Sequence, residues 1–243
     1  MRLVFGLALL PSSLITLFIA ARTLALLAAG APDAFPFLGG LGVSLLLWTA
    51  ARWFLAGAGG AAGWVGVMVR RLYVFGHELT HALAAWSIGA KVHAFHVGEE
   101  GGHVDLSHSN AFIALAPYCA PIYTLLVVVG YRLLLWLRPG WAGQTGFLVL
   151  MGLTLAFHFL LTFECLWDRK QPDLAAGGGV IFSLALIVLA NGLVVLLVAK
   201  TLFPKSVLLG EPLRQICVLS AAFWSWGYRE AHGVGRLMAG ARR

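Results

Sequence analysis

Long stretches of apolar residues alternate with short polar segments along most of this chain. A helix needs about 20 mainly apolar residues to cross the hydrocarbon core of a bilayer, and each stretch meets that length. The pattern predicts six such helices, at Leu3–Ala21, Phe37–Leu55, Trp64–Ile88, Ala111–Gly130, Phe147–Leu166 and Val180–Ala199. Because Arg22 and Arg52 blur the limits of the first two, five or six spans are expected.

A different pattern follows the third predicted helix. Gly89 is expected to end that helix, and two short segments then flank a glycine-rich turn between Lys91 and Leu106. Such segments around a turn of this kind predict a β-hairpin. The expected fold class is therefore an all-α polytopic membrane protein with one short hairpin after the third helix.

The same pattern divides the chain into three parts. Residues 1–63 hold the first membrane helices and a Gly/Ala-rich linker, residues 64–203 form the membrane core, and residues 204–243 form a basic tail. The tail contains Trp224, Trp226 and Tyr228 together with several arginines, a combination typical of a helix that lies in the membrane interface.

Composition and charge support a membrane protein. Of 243 residues 60% are hydrophobic and 11% are charged, whereas an ordinary soluble domain has about 25% charged residues. The net charge of +7 comes from basic residues at the ends of apolar stretches, which predicts topology anchors rather than a nucleic-acid surface. Three dispersed cysteines exclude a disulfide framework. The expected partner is the lipid bilayer, and the Ala/Gly/Leu/Arg-rich composition points to a bacterial inner membrane.

Ionisable residues gather in the third predicted helix, which contains His77-Glu78-Leu79-Thr80-His81. Histidines four residues apart lie on one helix face, so both imidazoles can bind one metal ion. Glu78 lies about 100° around the helix and can reach a water molecule at that metal. Since ionisable groups in a membrane are costly unless they are used, the motif predicts a Zn²⁺ site with Glu78 as general base.

This motif, in an apolar helix followed by a glycine-bearing hairpin and further spans, resembles the site-2-protease family of membrane-embedded zinc metalloproteases. The resemblance covers residues 70–199. It implies a third zinc ligand, an aspartate in an Asn-Pro-Asp-Gly or Leu-Asp-Gly type motif on a later helix. The corresponding segment here is Gln171-Pro172-Asp173-Leu174, in which Gln replaces Asn and Leu replaces Gly. The resemblance therefore implies that His77, His81 and Asp173 hold the zinc.

Other side chains remain candidates for the third ligand, namely Asp168, Glu164 and His158. His158 is also a candidate catalytic residue, as a hydrogen-bond donor to the tetrahedral oxyanion or as a partner of a metal ligand. The alternative is a core histidine bonded to a neighbouring helix. Asn191 is expected to join helices. The remaining histidines near the hairpin are expected to be solvated or structural: His93, His96, His103 and His108.

The sequence also predicts where the site lies and what it cuts. Arg71 marks the membrane interface and His77 follows six residues later, so the metal would lie about 9 Å below the surface. An edge of the hairpin can hold an unwound substrate by strand addition. The expected function is a zinc endopeptidase that cuts membrane-anchored proteins. The alternatives are a membrane-bound peptidase acting on soluble or juxtamembrane peptides, and a non-catalytic metal-binding membrane protein.

Overall fold

Helices and one antiparallel hairpin make up the structure, a computed structural model that describes residues 1–54, 61–98, 101–167 and 171–240. The longer helices are α1 (Arg2–Gly30), α2 (Phe35–Phe54), α3 (Ala61–Ser87), α5 (Ile122–Leu137), α6 (Gln144–Trp167), α8 (Val180–Leu202) and α9 (Gly210–Gly240). The shorter elements are β1 (Val92–Val97), β2 (Gly102–Leu106), α4 (Ala111–Cys119) and α7 (Pro172–Ala176). The predicted fold class is confirmed.

Several of these helices can cross a membrane. Four segments in the described part of the chain are long and apolar enough by length and composition, namely Arg2–Gly30, Pro32–Ala51, Gln144–Trp167 and Val180–Leu202. The bent pair formed by α4 and α5 raises that number to five when it is counted as one span. The helix that carries the two histidines, α3, is not among them. The chain is thus an integral membrane protein with several spans.

Pro117 and Pro121, within the span predicted over Ala111–Gly130, indicate a kinked or irregular start of that helix, and the chain does bend by 69° between α4 and α5. Ala120 adopts an extended conformation, with φ −107° and ψ 112°. It precedes Pro121, and the proline ring disfavours a helical conformation at the preceding residue. The helix therefore stops at Cys119 and restarts at Ile122 in a new direction.

Two pairs of spans pack closely through small residues. Gly6 of α1 lies against Phe182 of α8, and further along both helices Thr16 lies against Gly192, so α1 and α8 run parallel. In the second pair, α2 and α6, Gly152 lies against the Phe37 carbonyl. A buried cluster joins the ends of these four helices, and its members include Leu27, Phe37, Met151, Leu155 and Phe203.

The helix α3, the hairpin and α4 form a second unit. Gly89, with φ 79°, ends α3 in a conformation that glycine adopts without strain, as expected from the sequence. The following strands pair antiparallel with His96 opposite His103, as the hairpin prediction requires. Ala84, Ala85, Ala90 and Ile113 form the buried contact between α3, the hairpin and α4.

The basic tail forms α9, whose N-terminal part rests on α1. Arg22 of α1 donates a hydrogen bond to the Gln215 side chain at 2.7 Å, and Ile216 packs beside Ala20 and Val195. The helix predicted for the tail is therefore present. Residues 57–60 of the predicted Gly/Ala linker and Asp168 lie outside the described residues.

Candidate metal centre

The helix α3 presents both histidines of the predicted motif on one face. The imidazole rings of His77 and His81 lie with centroids 4.9 Å apart, one turn from each other. Thr80 turns its hydroxyl back to the Gly76 carbonyl at 2.7 Å, so it does not compete for the site. Glu78 is buried beside the two rings. The prediction that His77 and His81 point the same way is confirmed.

Asp173 completes a group of three ligand atoms. Its Oδ2 atom lies 3.5 Å from Nε2 of His77 and 3.5 Å from Nε2 of His81. Among the described residues, these three are the group of histidine, cysteine or acidic side chains whose ligand atoms all lie within 4.8 Å of one another. The structure therefore brings together the three residues that the sequence suggested as metal ligands.

Local contacts explain how a short connector brings Asp173 close to α3, although the two are far apart in sequence. Pro172 opens α7, where proline at the first helical position costs no hydrogen bond. The Gln171 amide donates to the Cys165 carbonyl at the end of α6, at 2.6 Å. Ser183 of α8 donates its hydroxyl to the Leu174 carbonyl at 3.0 Å. These bonds attach the connector to both flanking helices and leave the Asp173 side chain directed at α3.

The donor set and its spacing fit a zinc ion. Ligand bonds of roughly 2.0–2.1 Å in a tetrahedral site separate neighbouring ligand atoms by about 3.3 Å, close to the 3.5 Å between Asp173 and each histidine. Nδ1 of His81 donates to the Ile113 carbonyl at 2.9 Å. The lone pair of Nε2 is therefore available to bind a metal ion. Asn110 caps α4 by accepting from the Ile113 amide, which helps hold that carbonyl in place.

A large cavity opens in front of these side chains. Its volume is about 1820 Å³, and its walls come from α2, α3, α6 and β2. Gly102 of β2 packs directly on Glu78, because a Cβ atom added there would lie 2.6 Å from Cγ of Glu78. The hairpin therefore lies beside the glutamate and borders the space that a ligand of the site would occupy.

His158 takes a different place from the metal ligands. It is buried between helices, and its Nε2 lies 3.1 Å from Oδ1 of Asn191. Asn191 in turn donates to the carbonyl of Tyr118 at 2.8 Å. His158 is not among the described residues that line the cavity. Its contact with a neighbouring helix is the one expected of a core histidine, and its catalytic role stays a prediction.

The other candidates for the third ligand do not join the three-residue group in the part of the chain that the structure describes. Glu164 lines the cavity but lies outside the group. His96 and His103 pair across the exposed face of the hairpin, with ring centroids 5.3 Å apart. Both lie outside the group, although His103 lines the cavity, and the expectation that the hairpin histidines are solvated or structural stays a prediction.

One residue of the site was missed by the sequence analysis. Tyr118 is fully buried at the end of α4, and its hydroxyl lies 2.9 Å from Oδ2 of Asp173. Its ring meets the His77 ring edge-on, with centroids 5.1 Å apart. In the sequence, a tyrosine beside Pro117 in an apolar stretch looks like any buried aromatic residue, and nothing marks it as part of the site. Only the fold brings it to Asp173.

Comparison of the chain with protein-family models, with curated proteins and with solved structures finds no match. The function is therefore argued from the site itself.

Proposed function

We propose that this chain is a membrane-embedded zinc endopeptidase similar to the site-2 proteases. One observation carries the proposal. Two imidazoles one helical turn apart and a carboxylate from a distant connector converge beside a buried glutamate, at the wall of a large cavity. Ionisable groups inside a membrane protein are costly and mark functional sites, so this concentration at one place favours a catalytic centre.

Each side chain has a distinct role in the proposed reaction. His77, His81 and Asp173 would hold the zinc, which supplies Lewis acidity towards water and the scissile carbonyl when it is bound. Glu78 takes a proton from the attacking water, whose oxygen becomes bonded to the carbonyl carbon. The C–N bond then breaks, and the same proton passes from Glu78 to the leaving amine. Hydrolysis thus consumes one water and leaves Glu78 unchanged.

The cavity favours an unwound, membrane-anchored substrate. Its walls include α2 and α6, two helices that lie in segments able to cross a membrane, so the site is bordered by membrane-embedded elements. Residues 101–106, which include β2, also line it, and the outer edge of a strand can hold an extended peptide by main-chain hydrogen bonds. We infer that the substrate is a membrane-anchored protein and that the enzyme works in a bacterial inner membrane.

The decisive experiment replaces Glu78 with Gln. We expect Glu78→Gln to retain zinc and to lose cleavage of an anchored test substrate by about 10²–10⁴-fold, because the general base is gone and the ligands remain. The matched control is Glu230→Gln, which changes an exposed glutamate of α9 and should leave both properties unchanged. Zinc is measured by elemental analysis of the purified full chain and cleavage by gel in proteoliposomes.

The alternatives predict other results. A peptidase for soluble or juxtamembrane peptides would cut a substrate equally well with and without its membrane anchor. A non-catalytic metal-binding protein would hold zinc and cut neither substrate. Cleavage that persists in Glu78→Gln would contradict the proposed role of this glutamate.

A further inference from the structure

Tyr118 lies behind the third ligand of the proposed metal site. Its hydroxyl is 2.9 Å from Oδ2 of Asp173, the same oxygen that faces both histidines. The residue is fully buried, and its ring also meets the edge of His77. Because a phenol hydroxyl donates to a carboxylate, this contact restricts the rotation of the Asp173 side chain.

The Tyr118 hydroxyl has one proton and two oxygen acceptors, and Sγ of Cys165 lies 3.9 Å from it. Oε1 of Gln171 also lies 2.9 Å from it, while the Gln171 amide nitrogen is committed to the Cys165 carbonyl. A single proton can be donated to only one acceptor at a time. The Gln171 and Asp173 oxygens therefore compete for one donor, and both belong to the connector that carries the third ligand.

The backbone of Tyr118 is itself held from the opposite side. Its carbonyl accepts a hydrogen bond from the Asn191 amide at 2.8 Å, and Oδ1 of Asn191 lies 3.1 Å from Nε2 of His158. These contacts tie the end of α4 to α8 and α6. Both the main chain and the buried side chain of Tyr118 are thus held in place, and this fixes the position of its hydroxyl beside Asp173.

We propose that Tyr118 is a positioning residue that orients the Asp173 carboxylate for metal binding. The inference rests on the metal site of the proposed function, but it concerns metal binding and not peptide cleavage. Partners of metal ligands orient those ligands, and their loss typically weakens metal affinity by 10–100-fold. The same weakening is expected here when the hydroxyl is removed.

The test compares Tyr118→Phe with Tyr131→Phe in the purified full chain. The control residue stacks on Phe147 with ring centroids 4.0 Å apart, a contact that phenylalanine keeps. Zinc affinity is measured by competition with a chromophoric chelator. We expect about 10–100-fold weaker binding for Tyr118→Phe and unchanged binding for Tyr131→Phe. We also expect the visible spectrum of the cobalt-substituted protein to change in Tyr118→Phe alone, because the carboxylate ligand shifts.

A second comparison separates positioning from a general effect on the fold. Asp173→Ala leaves two imidazoles and weaker metal binding, and adding Tyr118→Phe to it should cause no further loss, since the carboxylate to be oriented is absent. An equal loss in both backgrounds would overturn the inference, because Tyr118 would then act without Asp173. Unchanged zinc affinity in Tyr118→Phe would overturn it as well.

A third measurement keeps the phenol and so covers the case in which Tyr118→Phe does not fold. Fluorotyrosine placed at position 118 should show a ¹⁹F shift on zinc addition in the otherwise unaltered chain and a smaller one in Asp173→Ala, where only the ring contact with His77 remains. A ¹⁹F signal that does not change on zinc addition in either protein would contradict the inference. Zinc binding that depends on Tyr118 in a chain without peptidase activity would refute the proposed function and leave this inference standing.

Discussion

At the scale of single residues, the proposed metal site depends on a few atoms contributed by separate segments. His77 and His81 come from one helix, whereas Asp173 arrives through a connector fastened by Gln171 and Ser183. The imidazole of His81 is oriented by a main-chain carbonyl at Ile113. Small changes at these positions should therefore act on metal binding before they act on the fold.

The first residue-scale prediction concerns the third ligand. Asp173→Ala should weaken zinc binding by more than the 10–100-fold that is typical when a hydrogen-bond partner of a ligand is removed, because a direct ligand is lost. The control is Asp33→Ala, an exposed aspartate between α1 and α2. Metal content after dialysis against a weak chelator distinguishes the two variants. Full zinc retention in Asp173→Ala would exclude this aspartate as a ligand.

The second residue-scale prediction concerns the contact between the hairpin and the proposed base. In Gly102→Ala the new methyl group would lie 2.6 Å from Cγ of Glu78 and 2.9 Å from the His96 carbonyl, so the strand or the glutamate must move. A shift of about 1 Å at a catalytic group costs on the order of 10²-fold in rate. We expect cleavage to fall by that factor at unchanged zinc content.

The matched control for this change is Gly130→Ala in α5, where an added Cβ meets nothing within 4 Å. Gly130→Ala should cleave the test substrate at the same rate as the unaltered chain. Equal activity in both glycine variants would show that the hairpin can yield at Gly102 without disturbing Glu78.

At the scale of elements, helix pairs meet at glycines rather than at large side chains. The contact of α2 with α6 centres on Gly152, where an added Cβ would collide with the Phe37 carbonyl. Because lipid is as apolar as leucine, close approach of helix backbones is a main source of association in membranes. The glycine contacts thus hold together the helices that wall the cavity on one side.

The element-scale prediction follows from this contact. Gly152→Ala should destabilise the protein by about 1–3 kcal/mol, the usual cost of overpacking a close contact. Gly146→Ala in the same helix should show no loss, since its added Cβ meets nothing within 4 Å and alanine favours a helix. Thermal unfolding in detergent compares them. The helix pairing described here is wrong if both variants unfold alike.

At the scale of the whole molecule, the proposed metal site lies between two packing units. One unit is α3 with the hairpin and α4, sharing the cluster around Ala85 and Ile113. The other contains α1, α2, α6 and α8, and the connector with Asp173 lies between α6 and α8. A bound ion would therefore add a link between the two units, beside the direct packing of α4 on the connector and on α8.

The whole-molecule prediction is that zinc raises the unfolding temperature. A ligand that binds only the folded state adds about 2.7 kcal/mol of stability at 100 times its Kd. Thermal scans with zinc and with a strong chelator should differ for the unaltered chain and nearly coincide for Asp173→Ala. An equal zinc-dependent shift in both proteins would place the ion elsewhere.

The part of the site that could be predicted from the sequence is the part that one helix contains. The spacing of His77 and His81 fixes their relative direction through the helical repeat alone, and the structure confirms it. The hairpin was predictable for a similar reason, since a glycine-rich turn and its flanking residues are neighbours along the chain. Asp173 needed a resemblance to a family, because no pattern within one segment shows which acidic side chain approaches α3.

Two features could not be predicted because they depend on distant contacts. Pro117 and Pro121 indicate a kink, but they do not give the direction of α4 relative to α5, and that direction brings Tyr118 to Asp173. The network from Tyr118 to Asn191 and His158 joins three helices that are far apart in sequence. No periodicity within one segment contains that information.

The sequence by itself determined that this protein lies in a membrane, that a hairpin follows the third long helix, and that two imidazoles share one face of that helix. Hydropathy and helical geometry are local properties, so they can be read along the chain. The tertiary structure alone decided which carboxylate meets those imidazoles, which tyrosine lies behind it and which strand borders the cavity. These contacts depend on where helices break and how they cross. Both are determined by packing between segments that are distant in the chain.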